Sequence, residues 1–182
     1  RVQGDGTFLG NLNNKGGSVA PGGDLHTATL TINGNYSQRS VVSASLVIEL
    51  GGTNAGAANN GYDVLHVTGT AALNLSMNAS LINGFNPGSD AYFDVLTAGA
   101  VNGQFTSVNL PSTPAGSFTI QYLPDRVRLI APGPAIIGDI NHDGHANIDD
   151  LLAVINAWGA CPPVSCPADV NGSGAVDIDD LL

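Results

Sequence analysis

The sequence is poor in positive charge, and this scarcity excludes one large class of partner. Only 5 of its 182 residues are Lys or Arg, against 15 Asp or Glu, so the net charge is −10. Because a nucleic-acid-binding protein needs a basic surface to meet the phosphates, we expect no nucleic acid partner. No apolar run approaches the roughly 20 residues of a membrane-spanning helix, so we also expect no membrane span.

Charged residues of both signs and aromatic residues are scarce as well, at 11% and 5%, whereas glycines number 24. Globular chains usually carry about 25% charged residues, so the surface here must be built from Asn, Ser, Thr and Gly. This balance favours a β protein with many turns over a helical bundle. The chain begins with Arg1 rather than Met, which we interpret as the result of processing or trimming.

The sequence contains only two cysteines, Cys161 and Cys166, which flank Pro162 and Pro163. We predict a local disulfide, and the alternative is two free thiols. A zinc site would need four suitable ligands and is not expected. A disulfide indicates an oxidising compartment, so we expect a secreted, extracellular protein, located at a bacterial cell surface.

Residues 1–130 are predicted to form a β-rich body. Short runs that alternate apolar and polar residues, or are β-branched, end in Gly or Asn. They lie at 27–32, 45–50, 63–67, 71–75, 79–82, 92–96, 118–122 and 127–130. Their spacing fits a β-solenoid, a sandwich or a barrel.

Within this body, residues 10 to about 110 resemble the rungs of autotransporter-type β-helix passengers. The resemblance rests on Gly-Ser-Val-Ala-Pro-Gly-Gly at 17–23, Leu-Thr-Ile-Asn-Gly-Asn-Tyr-Ser-Gln at 30–38, Ile-Glu-Leu-Gly-Gly at 48–52 and Tyr-Asp-Val-Leu-His-Val-Thr-Gly at 62–69. Gly-Phe-Asn-Pro at 84–87 and Phe-Asp-Val-Leu-Thr at 93–97 continue it. It implies a β-solenoid, or β-helix. Those rungs favour Gly before Leu, where this chain has Ser45-Leu46 and Ser80-Leu81, so a β-sandwich or jelly roll is the alternative fold.

A proline-rich linker is predicted at 131–138, because Pro132 and Pro134 exclude helix and stiffen the chain. Beyond it, residues 139–182 are predicted to form a separate module. Eight aspartates follow Arg128, and no Lys or Arg does. Such a segment repels itself unless it is unfolded or binds cations.

The first twelve residues of this module have the pattern of a calcium loop. Calcium takes roughly six to eight oxygen ligands, and a short loop supplies them from alternate positions as it curls. Gly144 at the sixth position permits the sharp turn, and the seventh position contributes its backbone carbonyl. The predicted ligands are Asp139, Asn141, Asp143, His145, Asn147 and Asp150.

The pattern repeats 30 residues later, and both copies end in Ile-Asp-Asp-Leu-Leu. The second set of predicted ligands is Asp169, Asn171, Ser173, Ala175, Asp177 and Asp180. We therefore predict two Ca²⁺ sites. Ser173 places a hydroxyl where the first loop has the carboxylate of Asp143, so we expect the second site to bind calcium more weakly.

An amphipathic helix is predicted to follow the first loop, because Leu151, Val154, Ile155 and Trp158 recur at helical spacing. We expect Trp158 to pack in the core. The helix should end near Gly159.

Residues 138–182 resemble a type I dockerin. The resemblance rests on three features: the loop is duplicated, a helix follows the first loop but none precedes it, and the twelfth position is Asp rather than Glu. It implies calcium-dependent folding and, in cellulosome relatives, docking to a cohesin. Relatives that bind cohesin often have hydroxyl residues at positions 10 and 11, where this chain has Ile148-Asp149 and Ile178-Asp179. We expect the second half of the module to be incomplete, because Leu182 falls in the first turn of its helix.

Three functions compete. The first is a secreted, calcium-stabilised, non-enzymatic structural protein that assembles with itself into an extracellular fibre or surface layer. The second is a calcium-dependent docking or adhesion module for a cohesin-like or cell-surface partner. The third is a carbohydrate-active enzyme with a dockerin tail, which would need two facing carboxylates, drawn from Glu49, Asp63, Asp90 and Asp94. We expect no enzyme activity and rank the three in this order.

Overall fold

Parallel β-strands dominate the structure, which is a computed structural model. It describes residues 1–39, 44–58, 60–88, 90–133, 140, 147–161, 166 and 168–181. The chain divides into two compact units, Arg1–Pro132, which we call the body, and Gly133–Leu182, which we call the C-terminal unit. No helix among the described residues combines the length and the apolar character needed to cross a membrane.

The body consists of short strands joined by turns. In chain order they are β1 Val2–Gly4, β2 Gly6–Leu9, β3 Leu12–Asn14, β4 Gly17–Pro21, β5 Thr29–Asn33, β6 Tyr36–Gln38, β7 Ala44–Leu50, β8 Asn54–Ala55, β9 Gly61–Tyr62, β10 Val64–Ala72, β11 Ser76–Leu81, β12 Tyr92–Asn102, β13 Ser107–Asn109, β14 Ser112–Thr113, β15 Gly116–Ser117, β16 Thr119–Leu123 and β17 Arg126–Ile130.

Two larger sheets form as the chain passes repeatedly over itself. In the first sheet, β1, β4, β7, β11 and β13 lie side by side in that order, and every pair is parallel. In the second sheet, β2, β5, β10 and β12 are likewise parallel neighbours, and β3 and β6 extend it beside β10. Neighbouring strands therefore come from successive passes of the chain.

The register stacks apolar side chains into columns. In the first sheet Val19, Leu46 and Met77 are aligned, and in the second Leu65 aligns with Leu96. All five are buried in one core to which both sheets contribute. Alternate residues face outward, as the period of two in a strand requires, so each pass adds one layer of apolar contacts to the previous one.

Glycines form a column of their own where the passes approach most closely. A Cβ on Gly34 would lie 2.5 Å from the carbonyl oxygen of Gly10, and a Cβ on Gly69 would lie 2.8 Å from that of Gly34. On Gly99 it would lie 3.1 Å from the carbonyl oxygen of Gly69. Any side chain at these positions would force the passes apart, which explains their glycines.

The second sheet ends in an antiparallel hairpin. Strand β17 pairs with β12, and β16 pairs with β17. On this hairpin Arg128 donates to Asp94 Oδ1 at 2.7 Å and Arg126 donates to Asp94 Oδ2 at 3.0 Å. The guanidinium of Arg128 also lies 4.1 Å from the centre of the Tyr92 ring, so charged and aromatic groups cover this end of the sheet.

The C-terminal unit is built differently, from turns and short elements. It contains the helix α1 Ile148–Asn156, the strands β18 Gly159–Ala160 and β19 Ala175–Val176, and a 3₁₀ helix at Ile178–Leu181. The two strands pair antiparallel. Its buried apolar cluster comprises Val154, Ala168 and Val176.

The prediction that the chain is mainly β is confirmed. The strands at 45–50, 92–96 and 127–130 lie within β7, β12 and β17. Strand β10 combines 64–67 of one predicted run with 71–72 of the next, with a register shift between Val67 and Thr70. The strands of residues 2–21 were not predicted. Residues 134–138 of the predicted linker lie outside the described residues.

Candidate metal centre

The second loop curls around the carboxylate of Asp169. Its Oδ1 accepts a hydrogen bond from the backbone N–H of Ser173 at 2.9 Å, and its Oδ2 accepts one from Gly174 at 2.8 Å. The chain makes this turn with φ of +90° at Gly174, a left-handed conformation that favours glycine. The glycine at the sixth position is therefore explained by the turn.

The next three predicted ligands, Asn171, Ser173 and Ala175, are connected to Asp169 through hydrogen bonds that involve Ser173. Asn171 Oδ1 accepts from the same N–H of Ser173 at 2.8 Å as Asp169 does. The hydroxyl of Ser173 in turn donates to the carbonyl oxygen of Ala175 at 2.9 Å. Hydrogen bonds thus connect oxygen atoms from positions 1, 3, 5 and 7, and the calcium-ligand role of the Ala175 carbonyl stays a prediction.

Asp180 closes the loop and is buried. Its Oδ2 accepts from the N–H of Asp177 at 2.9 Å, and its Oδ1 accepts from Val170 at 2.9 Å and Asn171 at 3.2 Å. These hydrogen bonds, that from Asp177 above all, hold the pKa of Asp180 below its ordinary value although burial opposes them. The carboxylate therefore stays charged and links both ends of the loop.

The described part of the first loop repeats this arrangement. Asp150 Oδ1 accepts from the N–H of Ile140 at 2.7 Å, and its Oδ2 accepts from Asn147 at 2.8 Å. Asn147 Oδ1 accepts from the N–H of Asp149 at 2.7 Å, as Asp177 Oδ1 does from Asp179 at 2.9 Å. The predicted ligands Asp139, Asn141, Asp143 and His145 lie outside the described residues.

The residues of the second loop fit calcium better than a softer metal. Every atom that the loop gathers is an oxygen, from a carboxylate, an amide, a hydroxyl or a backbone carbonyl, and these are the ligands that calcium prefers. No Lys or Arg follows Arg128 in the sequence, so no such side chain of this unit can neutralise the carboxylates. If bound, calcium would supply that missing positive charge, with Asp169, Asn171, Ser173, Ala175, Asp177 and Asp180 to hold it.

A disulfide between Cys161 and Cys166 adjoins the second loop, with 5.6 Å between the two Cα atoms. The N–H of Cys161 donates to the carbonyl of Gly174 at 3.0 Å, and the carbonyl of Cys166 accepts from the N–H of Asp169 at 3.1 Å. The bridge therefore holds both the start and the middle of the loop. Although Cys161, Cys166 and Asp169 lie close together, the bonded sulfurs offer no thiolate to a metal.

Helix α1 begins at the end of the first loop. Asn147 is its N-cap, and Asn147 and Asp150 form a reciprocal capping box, which satisfies backbone donors that the helix leaves free. The same Asp150 thus closes the loop and starts the helix. Val154 is buried, but Trp158 is 52% exposed, so the expectation that Trp158 packs in the core is wrong. The small apolar cluster of this unit does not extend to it.

The carboxylates considered for catalysis belong to the body. Asp63 is completely buried, and Asp94 is engaged by Arg126 and Arg128. Two cavities among the described residues are lined by no acidic residue. The expectation that the protein has no enzyme activity stays a prediction.

Comparison with known proteins leaves the loops as the main guide to function. The chain matches no protein-family model, no curated protein and no solved structure.

Proposed function

We propose that the C-terminal unit is a dockerin-like calcium module that holds two ions in its two loops. The observation that carries this proposal is the repeated closing carboxylate. Asp150 and Asp180 stand at the same position of the two copies, and each accepts an N–H from the second and from the ninth residue of its own loop. A chance acidic run has no reason to repeat this pattern.

Calcium has a clear physical task in this unit. Eight aspartates lie in the segment that follows Arg128, and their mutual repulsion disfavours the compact state. Among the described residues of this unit, the apolar cluster has only three buried members, and domains with small cores commonly depend on metals or disulfides. Binding of divalent cations would remove the repulsion and fix the curled loops, so we expect folding of this unit to require calcium.

The test is a calcium titration of the chelator-treated protein by isothermal calorimetry. We expect two ions per chain, with the second loop the weaker. Asp180→Asn should abolish binding at the second loop. The matched control is Asp179→Asn, which removes the same charge from the neighbouring position, whose side chain is not a predicted ligand. Equal binding by wild type and Asp180→Asn, or equal loss in both variants, would contradict the proposal.

We further propose that the body is a β-solenoid of the kind found in autotransporter-type β-helix passengers. In support, the neighbours along β1, β4, β7, β11 and β13 are all parallel and follow chain order. Sandwiches and jelly rolls are built mainly from antiparallel strands, so these ladders favour the solenoid over its alternative. A crystal structure with successive coils stacked at the strand spacing would test it.

For the whole protein, we infer a secreted, non-enzymatic structural role with self-assembly into a fibre or surface layer. The body contains all five Lys and Arg and seven of the 15 acidic residues, so little repulsion opposes contact between copies. Its edge strand β2 is exposed along its whole length, and unpaired edges can join other strands. Electron microscopy with calcium and with chelator tests assembly, and a protein that stays monomeric at high concentration in calcium would refute it.

Docking to a cohesin-like or cell-surface partner is the second candidate, and one observation favours it. Helix α1 and its flank expose Leu151, Leu152, Ile155 and Trp158, and exposed apolar patches often mark interaction sites. The test is calcium-dependent binding to purified cell-surface fractions. Ile155→Asp should abolish that binding, and Leu25→Asp, on an exposed residue of the body, is the control. Unchanged binding by Ile155→Asp would exclude this surface.

A further inference from the structure

A buried pair of acidic residues lies inside the body, far in sequence from the calcium loops. Asp63 is 0% exposed and precedes strand β10. Its Oδ1 accepts from the N–H of Ala28 at 2.9 Å, and its Oδ2 accepts from the N–H of Glu49 at 2.9 Å. One side chain therefore joins two other passes of the chain.

Glu49 extends the same junction. It is 8% exposed, and its Oε2 accepts from the N–H of His26 at 3.1 Å, while its carbonyl accepts from the N–H of Asp63 at 2.9 Å. The hydroxyl of Thr27 donates to the carbonyl of Ala57. Ala57 belongs to the segment 51–63 between β7 and β10, which we call the excursion. Residues 26–28, this excursion and the end of β7 are thus held together around two carboxylates.

No cation neutralises this pair among the described residues. Arg1 acts on Glu49 only at a distance and forms its own ion pair with Asp24. His26 contributes its backbone N–H to Glu49, and the residue itself is exposed. The neighbouring Tyr62 is a buried phenol. Asp94 in the same body has two arginine partners, so the lack of one at Asp63 is a specific feature of this junction.

The electrostatic consequence is a carboxylic acid that ionises reluctantly. Burial raises the pKa of Asp63 to about 7, the two backbone N–H groups oppose this rise, and the charge of Glu49 adds to it. We therefore expect Asp63 to change its protonation state near neutral pH.

We propose that Asp63 and Glu49 form a proton-dependent latch, which fastens residues 26–28 and the excursion between β7 and β10 when Asp63 is protonated. Loss of the proton leaves two buried carboxylates that repel each other without a counter-charge. This repulsion weakens the packing of the junction, although the N–H groups of Ala28 and Glu49 can still donate to Asp63.

The sign of the pH dependence follows from linkage. Because the folded state binds the proton more tightly than the unfolded chain, the latch contributes fully below the ordinary pKa of about 3.8. Its contribution is lost as the pH rises toward and through about 7. The body should therefore become more stable on acidification from pH 8 to pH 5.

The test is thermal unfolding of the full chain in saturating calcium, followed by the β-sheet circular dichroism signal between pH 5 and 8. We expect the Tm of the wild-type body to be roughly 5–10 °C higher at pH 5 than at pH 8. In Asp63→Asn most of this dependence should disappear, whatever the absolute Tm of the variant. All other titratable groups are present in both proteins, so their contributions cancel in the comparison.

Two further measurements keep the latch falsifiable if Asp63→Asn does not fold. Carboxyl ¹³C shifts of the wild-type protein should show Asp63 titrating near neutral pH, and Glu49→Gln should lower that midpoint because it removes the neighbouring charge. Asp94→Asn is the control and should keep the wild-type slope between pH 5 and 8. A flat wild-type profile, a steep Asp63→Asn profile, or an Asp63 midpoint near 4 would each overturn the latch.

Discussion

The two units of this protein differ in the groups that surround their carboxylates. In the body, Asp94 is neutralised by two arginines and Asp24 by Arg1, whereas Asp63 is buried among backbone donors. In the C-terminal unit the carboxylates of Asp169 and Asp180 accept backbone N–H groups, and the sequence provides no Lys or Arg to pair with them. Arginine side chains thus neutralise Asp94 and Asp24 in the body, while in the C-terminal unit we expect a bound cation to take this role.

The two units also differ in how much apolar surface they bury. Among the described residues, the core of the body contains buried side chains from both sheets, whereas three buried residues form the cluster of the C-terminal unit. Burial of apolar area is the main driving force of folding. We therefore expect stability of the body to depend on its core, and stability of the C-terminal unit to depend on calcium and the disulfide.

The largest expected effect is in the body. Leu46→Ala removes a fully buried side chain from the stacked columns and should lower the free energy of unfolding of the body by about 2–5 kcal/mol. The calcium isotherm should not change. Chemical denaturation followed by circular dichroism measures the loss, and Leu9→Ala, on a residue 77% exposed, is the control. Weakened calcium binding by Leu46→Ala would contradict the expectation that the two units are stabilised independently.

Removal of calcium should have the next largest effect, confined to the C-terminal unit. A ligand at 100 to 1,000 times its Kd stabilises the folded state by about 3–4 kcal/mol, which exceeds what so small a core can replace. Hydrogen exchange with and without EDTA should show lost protection in residues 147–181 and unchanged protection in the body. Equal protection of these residues in both conditions would count against the calcium requirement.

The disulfide should contribute less than calcium does. Replacement of Cys161 and Cys166 by Ser frees a short loop, for which the chain-entropy model gives about 2 kcal/mol. Because the bridge adjoins Asp169 and Gly174, calcium affinity should fall at the second loop and be retained at the first. Calorimetry of the double variant measures this, and equal weakening of both sites would show that the bridge acts on the whole unit.

The smallest effect concerns the difference between the two loops. Ser173→Asp restores the carboxylate that the first loop has at this position and should tighten the second site by about 1 kcal/mol, or roughly fivefold. Ala175→Asp is the control, since it adds the same charge where the backbone carbonyl is the predicted ligand. If both variants tighten binding equally, net charge rather than ligand type determines the difference.

The sequence was sufficient where local chemistry decides the structure. Alternating apolar residues in β7 and β12 predicted strands because one face of each had to be buried. The calcium loops predicted from the spacing of oxygen residues stay a prediction. The first strands escaped prediction because β2 is exposed throughout and has no apolar alternation to read. Helical spacing predicted α1, but it could not reveal that the apolar cluster stops short of Trp158.

The environment of Asp63 could not be predicted either, because it depends on contacts between passes of the chain. In the sequence Asp63 is one acidic residue before an apolar run, and it was considered only as a catalytic candidate. Its burial follows from the stacking of Ala28 and Glu49 against it, residues 35 and 14 positions away along the chain. Pairing over such distances leaves no periodic trace in a single sequence.

The column of Gly10, Gly34, Gly69 and Gly99 has a consequence for how such a chain can change over evolutionary time. Gly34, Gly69 and Gly99 each lie against the backbone of the preceding pass, so an insertion directly beside one of them would move it out of that close contact. Duplication or deletion of an entire layer preserves every match. If the body is the proposed β-solenoid, its natural unit of recombination is one complete coil, and the segment between β7 and β10 is where shorter insertions can be tolerated.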